Sequence, residues 1–230
     1  SGGNKLSNEI SNKYSIDSEY FHCDITQEKE IINIKDKIID KYKRIDILVN
    51  NASFNPKVST KQLTKFSRLE EFSVKQWNKD LSVGLMGSML CSKIFGSEMK
   101  NSGKGVIVNI SSDLGIIGPD QRIYRTVKDK VEQHSVKPVT YSVVKHGLIG
   151  LTKYLATYWA YKGIRCNALC PGGIDDGQSD DFKGKISKLI PLSRMADIDE
   201  YKSSLIFLVS DASSYMTGSI LVIDGGRTCW

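Results

Sequence analysis

Tyr141 and Lys145 are the two residues whose types and spacing speak most directly of chemistry. Four apart on a helix, they project from one face and bring an ammonium close to a phenol. A neighbouring cation favours the phenolate. It would move a tyrosine down from its ordinary value of about 10 towards the range useful for proton exchange near neutral pH. Ser112 could add a hydroxyl hydrogen-bonded to a substrate carbonyl or alcohol oxygen. The three groups together would polarise a C=O bond and move its proton while a bound cofactor supplies hydride.

The pattern Tyr-x-x-x-Lys occurs three times, at Tyr124/Lys128, Tyr141/Lys145 and Tyr158/Lys162, so context has to select. Tyr124 lies in an irregular basic stretch with no apolar helical face after it. Tyr158 and Lys162 fall at the end of a helix, away from the strand ends. Tyr141 stands three residues after Pro138, at the start of a helix that presents Val144, Leu148, Leu151 and Leu155 to a core. The bland alternative for Tyr141 is a surface tyrosine beside a solvated lysine.

The elements that would position these groups alternate. Helical spacing covers 4–14, about 27–42 with Thr26 as N-cap, and about 74–100. It recurs from Pro138 to about Tyr161, and more briefly over 180–189 and 199–209. Short apolar runs read as strands at 20–23, 45–49, 105–110, 164–169 and 219–223. Uniformly apolar strands alternating with helices imply an α/β fold, a doubly wound parallel sheet covered on both faces. In such sheets ligands bind beyond the carboxyl ends of the strands. Asp24, Asn51, Ser112 and Pro171-Gly172-Gly173 stand at those ends. No repeat or linker divides residues 1–230, which read as a single domain.

Composition excludes other classes. Across 230 residues, 40% hydrophobic and 25% charged residues fit a globular chain with a real core. The apolar runs are too short to span a bilayer, and Ser1–Lys5 has no signal-like apolar stretch. The net charge of +6 is scattered, which argues against nucleic acid as a partner. The five cysteines, Cys23, Cys91, Cys166, Cys170 and Cys229, form no Cys-x-x-Cys and have no clustered His partners. They read as buried free thiols of a cytoplasmic protein with no metal.

With those residues in place, the chain resembles the short-chain dehydrogenase/reductase family. The resemblance rests on motifs in order: Cys23-Asp24-Ile25-Thr26, Asn50-Asn51-Ala52, Asn109-Ile110-Ser111-Ser112 and Tyr141-Ser142-Val143-Val144-Lys145. It continues in Asn167-Ala168-Leu169-Cys170-Pro171-Gly172, Thr217-Gly218 and Asp224-Gly225-Gly226. The resemblance implies a three-layer Rossmann-like domain using NAD or NADP. Ser112 would orient the substrate, Tyr141 would be the general acid/base, and Lys145 would hold the ribose and lower the tyrosine pKa. Asp24 would meet the adenine ring. Ile25, Asn51, Ala52, Pro171, Gly172 and Ile174 would line the rest of the cofactor site. The implied function is interconversion of a carbonyl and an alcohol on a small molecule by a homodimer or homotetramer, with no membrane partner.

The sequence departs from that pattern in places. It contains no glycine-rich phosphate-binding turn, so the N-terminal βα unit of the family is absent from it, and a longer parent chain is expected. Gly84 stands where the family usually has an asparagine, leaving room for a water. Ser53 follows Asn50-Asn51-Ala52 in place of glycine. The segment between Ser112 and Tyr141 is long and carries Arg122, Arg125, Lys128, Lys130, His134 and Lys137. It is either a solvated surface loop or an anion clamp beside the serine, with Arg122 and Asp113 as candidate substrate contacts. The strings Ser112-Asp113-Leu114-Gly115, Gly118-Pro119-Asp120-Gln121-Arg122 and Lys137-Pro138-Val139-Thr140-Tyr141, with the ending Asp224–Trp230, resemble a bacterial branch of flagellin modification and legionaminic-type acid sugar pathways. That suggests a carbohydrate substrate, phosphorylated or nucleotide-linked. The alternatives are a 3-ketoacyl-type reductase and a catalytically silent interaction module.

Overall fold

A computed structural model describes residues 2–54, 67–125 and 135–230. Short apolar runs become strands β1 (Ile47–Asn50), β2 (Gly105–Ile110), β3 (Ile164–Pro171) and β4 (Ile220–Ile223). They pair in parallel in the order β1-β2-β3-β4, with Val49 opposite Val108, Ile107 opposite Cys166 and Leu169 opposite Leu221. Parallel pairing puts every carboxyl end on one edge, so Asn50, Ile110, Pro171 and Ile223 all open towards the same side.

The helices are α1 (Gly2–Tyr14), α2 (Glu28–Tyr42), α3 (Val74–Leu81), α4 (Gly87–Ser102), α5 (Val139–Trp159), α6 (Asp180–Ser187) and α7 (Lys202–Val209). On one face of the sheet, Ile107 and Cys166 pack with Met99 of α4 and Leu155, Ala156 and Trp159 of α5. Ile31 of α2 packs against Leu90, Cys91 and Ile94 of α4. On the other face, Leu208 of α7 closes over Val106, Val108 and Leu169. The parallel sheet with helices on both faces is the expected α/β architecture.

A buried polar ladder ties the functional edge together. Asn50 Nδ2 donates to Asn109 Oδ1 at 2.8 Å and to Ser92 Oγ at 3.0 Å. Asn109 Nδ2 donates to Thr152 Oγ1 at 2.8 Å. β1, β2, α4 and α5 are thereby locked in one register. Satisfied polar groups in a dry interior specify geometry, because any shift leaves a buried donor unpaired.

Several expectations need correction. Residues 20–23 form no strand: an extended run becomes a strand only when a neighbour supplies its ladder, and no described strand bonds to this one. Gln27, not Thr26, caps α2, and it lacks a side-chain cap. The Thr26 hydroxyl instead donates to Asp24 Oδ1 at 2.8 Å. β1 is not buried on both faces. Ile47 is 47% exposed and Val49 37%; the cluster around Leu208 of α7 takes its strand residues from β2, β3 and β4 and none from β1. Of the cysteines, all free, Cys229 is exposed and Cys23 is half-buried.

The long helix expected over 74–100 is broken by a π turn at Ser82–Met86, which contains Gly84. Such widened turns accommodate a local conflict in helix packing. Here the conflict is visible. A Cβ on Gly84 would lie 2.6 Å from Val144 Cγ1, so α5 fills the space expected to hold a water. Gly147 of α5 answers in kind, with its missing Cβ 2.9 Å from Leu85 Cδ2. Gly84→Ala should destabilise the fold by about 1–3 kcal/mol. Combined with Val144→Ala it should cost less than the two single changes summed, with a coupling of about 0.5–3 kcal/mol. Urea denaturation of the four proteins in the cycle measures both.

Candidate active site

The site begins where β2 ends. Ser111 Oγ donates to the Lys145 carbonyl at 2.7 Å, and Lys145 Nζ donates to the Ile110 carbonyl at 2.8 Å. The strand end and the helix thus clasp each other reciprocally. Gly115 has to be glycine here, since a Cβ would collide with Ser111 Oγ and stand 2.9 Å from the Lys145 carbonyl. The next residue, Ser112, starts the 3-10 turn Asp113–Gly115 and receives the Leu114 N–H at 3.2 Å.

Across from Ser112, the first turn of α5 presents Tyr141. Thr140 beside it donates to Asp80 Oδ2 at 2.6 Å, anchoring the helix start to α3. Ser112, Tyr141 and Lys145 are thereby brought together; the four-residue spacing pointed to the Tyr141/Lys145 part alone. Tyr141 shares a hydrogen bond with Ser112. Two ammonium groups lie near its ring, Lys137 Nζ 3.8 Å and Lys145 Nζ 5.7 Å from the centroid.

The electrostatics differ from expectation. Burial pushes the Tyr141 phenol above its ordinary value; the Ser112 hydrogen bond opposes that rise and the Asp113 charge adds to it. The expected lowering by Lys145 is not realised, because that ammonium is itself turned to the Ile110 carbonyl and penalised by burial. Burial brings Lys145 down from 10.5 to about 8. Lys137 also falls to about 8, again through burial, with Asp113 pulling the other way.

Of the rival tyrosines, Tyr124 is packed against Phe182, and burial raises its pKa. Its companion Lys128 lies outside the described residues. Tyr158 is 54% exposed and stacks on Tyr154.

The candidate cofactor residues line the same edge. Asn51 and Ala52 are exposed at the end of β1. Pro171 and Gly172 end β3, and Gly172 N donates to the Ile223 carbonyl at 2.8 Å. A Cβ at Gly172 would come within 2.8 Å of the Asp224 backbone. Ile174 bridges to Ala196. Ile25 packs against Gly87, and the exposed Asp24 carboxylate is fixed by the N–H and hydroxyl of Thr26.

The basic segment divides. Arg122 is a surface residue paired with Asp120 at 2.7 Å, and Arg125 is exposed. Lys130 and His134, like Lys128, lie outside the described residues. Lys137 alone of the described members reaches the tyrosine. Gln121 holds it there, with Oε1 accepting the Lys137 N–H at 2.8 Å. A cleft of about 420 Å³ lies alongside, bordered by Arg68, Gln121, Lys137, Ser142 and Val143. Asp113 is buried, and both its oxygens are occupied by Ser112, the Leu114 N–H and Arg227. Sequence reasoning missed Arg227 altogether, since no spacing rule links two residues 114 positions apart.

Comparison with known proteins points to one family. A profile described as short chain dehydrogenase matches residues 1–135, and one described as Enoyl-(Acyl carrier protein) reductase matches 133–228. The chain is 31% identical over 217 residues to D-threitol dehydrogenase of Mycolicibacterium smegmatis, covering 90% of this chain and 72% of that protein. It is 31% identical over 225 residues to 3-oxoacyl-[acyl-carrier-protein] reductase of Aquifex aeolicus, covering 96% and 81%. A solved short chain dehydrogenase from Leptospira borgpetersenii with bound NAD+ superposes with TM-score 0.80 at 36% identity, over 91% of this chain and 75% of that one.

The lysine beside the tyrosine offers a test on stability. A lysine whose folded pKa is depressed penalises folding while it is charged. The penalty is complete below about 8 and fades as the pH approaches the ordinary 10.5. Lys137→Met should therefore gain most stability over the parent at pH 7, and this advantage should shrink by pH 10. Urea denaturation at the two pH values checks it.

Proposed function

The chain belongs to the short-chain dehydrogenase/reductase family, an NAD(P)-dependent oxidoreductase family, and on that premise we propose that it interconverts a carbonyl and an alcohol on a small carbohydrate. The observation that carries this reading is the convergence of Ser112, Tyr141 and Lys145 at the carboxyl end of β2. NAD or NADP, when bound, supplies or accepts the hydride.

The donor set suits such a cofactor. Lys145 offers an ammonium to a ribose hydroxyl, Asp24 an ordered carboxylate to an adenine amine, and Asn51, Ala52, Pro171, Gly172 and Ile174 an open crest along the strand ends. Ser112 orients the substrate oxygen, and Tyr141 gives or takes the proton at that oxygen. Below about pH 8 Lys145 is an ammonium and stabilises negative charge as it develops there. Arg122 is proposed as an outer contact to an anionic substrate group.

The carbohydrate assignment is supported by the likeness to a polyol dehydrogenase. The finer assignment, to a bacterial acid-sugar branch with a phosphorylated or nucleotide-linked substrate, rests on the three sequence strings around Ser112, Arg122 and Tyr141. A cytoplasmic enzyme of one Rossmann-like domain fits these assignments. Homodimers or homotetramers are supported by the exposed Val143, Tyr154 and Tyr158 on α5 beside Met86 and Met89. A second reading, a 3-ketoacyl-type reductase, is favoured by the likeness to the Aquifex aeolicus enzyme.

A panel of D-threitol, mannitol and gluconate with NAD+ and NADP+, against an acetoacetyl thioester with NADH and NADPH, separates the two. Tyr141→Phe should lower kcat on the accepted substrate by about 10²–10⁴-fold with the fold intact. Unchanged turnover in that variant overturns the role given to Tyr141. Titration calorimetry with NADH and NADPH that detects no binding would favour a silent module.

A further inference from the structure

We propose that Arg227 and Asp113 form a positioning pair that sets the Ser112 hydroxyl, making the turn after β4 a working part of the catalytic centre. The proposal builds on the roles given above to Ser112 and Tyr141. Arg227 Nη1 lies 2.8 Å from Asp113 Oδ2, and the side chains are only 6% and 4% exposed. The second oxygen, Asp113 Oδ1, accepts from Ser112 Oγ at 2.7 Å and from Leu114 N at 2.7 Å. The carboxylate is thus gripped on one side by the arginine and holds the serine with the other. With its hydrogen directed at Asp113 and one lone pair taken by the Leu114 N–H, the Ser112 oxygen has one lone pair left for the space shared with Tyr141.

A buried ion pair is weak evidence of a stabilising device, because desolvation offsets most of its attraction. Its placement is the informative feature. The arginine is delivered by a rigid turn. Asp224 accepts the Gly226 N–H at 2.9 Å and the Thr228 N–H at 2.7 Å. Gly225 and Gly226 have φ of +67° and +90°, and side chains there would strike Ile190 and Pro191. This chain therefore builds a stiff arm from the last strand and aims one cation at the residue next to the serine.

The Asp113 charge, which Arg227 compensates, also reaches the phenol. The titratable groups that act on Tyr141 are Lys137 ahead of α5, Lys145 on it, Tyr124 from the 3-10 turn Gln121–Tyr124, and Asp113 after β2; Asp80 holds Thr140 at the helix start, and Cys170 of β3 and Tyr201 before α7 feel the Asp113 charge. Lys137 and Lys145 lose their protons near 8, before the buried phenol ionises.

The test uses the whole chain with ¹³C-labelled tyrosine, the Tyr141 resonance being assigned by its loss in Tyr141→Phe. In Arg227→Met the Asp113 charge is uncompensated, and the Tyr141 titration midpoint should rise. In Asp113→Asn, which keeps an acceptor for Ser112, it should fall. The double variant should lie between the two. Arg227→Met should also lower kcat by about tenfold to a hundredfold, with KM for the accepted polyol or thioester within about threefold, as expected when only orientation is lost. Arg227→Lys should recover part of that loss.

A purely structural pair would shift the melting temperature and leave the midpoint and kcat in place, and that result overturns the proposal. Should Arg227→Met fail to fold, the charge-free double variant and Asp113→Asn carry the same comparison. Should the parent turn over no member of the panel, the functional reading fails, while the Tyr141 midpoint still decides whether the pair acts on the site.

Discussion

The reciprocal clasp between Ser111 and Lys145 is the interaction on which the rest of the site depends. One hydroxyl holds the backbone of α5 at its second turn, and one ammonium from that turn holds the last carbonyl of β2. Neither bond can lengthen without straining the other. Ser112 and Tyr141 sit one residue after the clasping serine and one turn back from the clasping lysine, so their meeting follows from the clasp. The Asn50–Asn109–Thr152 ladder underneath extends the same constraint into the sheet. The geometry of the proposed site is the visible edge of a buried polar seam.

The electrostatic character of the site comes from dryness more than from charge pairing. Burial is the first cause of the shift at Tyr141, Lys145 and Lys137 alike. It pushes the phenol up and both ammonium groups down, favouring the neutral form of each and driving their pKa values apart. Near pH 7 both lysines, at about 8, still carry their protons, so a ligand meets a neutral phenol flanked by ammonium groups. The polarising groups are already in place when that happens, so little reorganisation remains.

Much of this was legible in the sequence, and the remainder has physical reasons. The strands of the core, β2, β3 and β4, showed as apolar runs because both faces or one whole face must be covered. The Tyr141/Lys145 pair showed because helical spacing is local. Residues 20–23 looked like a strand for the same apolar reason, but a ladder needs a partner and local composition cannot supply one. Thr26 resembled a cap because threonine often is one, while Asp24 competed successfully for its hydroxyl. The lowering expected at Tyr141 failed because spacing gives proximity but not burial. Arg227 was beyond reach, since its meaning lies in a contact formed across nearly half the chain.

Gly84 and Val144 face each other where α5 crosses the π turn, with no space for an added carbon between them. The two positions therefore cannot drift separately over evolutionary time. A lineage that acquires a side chain at position 84 must first, or at once, shrink position 144, because the reverse order passes through a clash. Among descendants of this chain the two columns should vary together, the smaller residue alternating from one helix to the other. The widened turn would be expected to close wherever the exchange has been made.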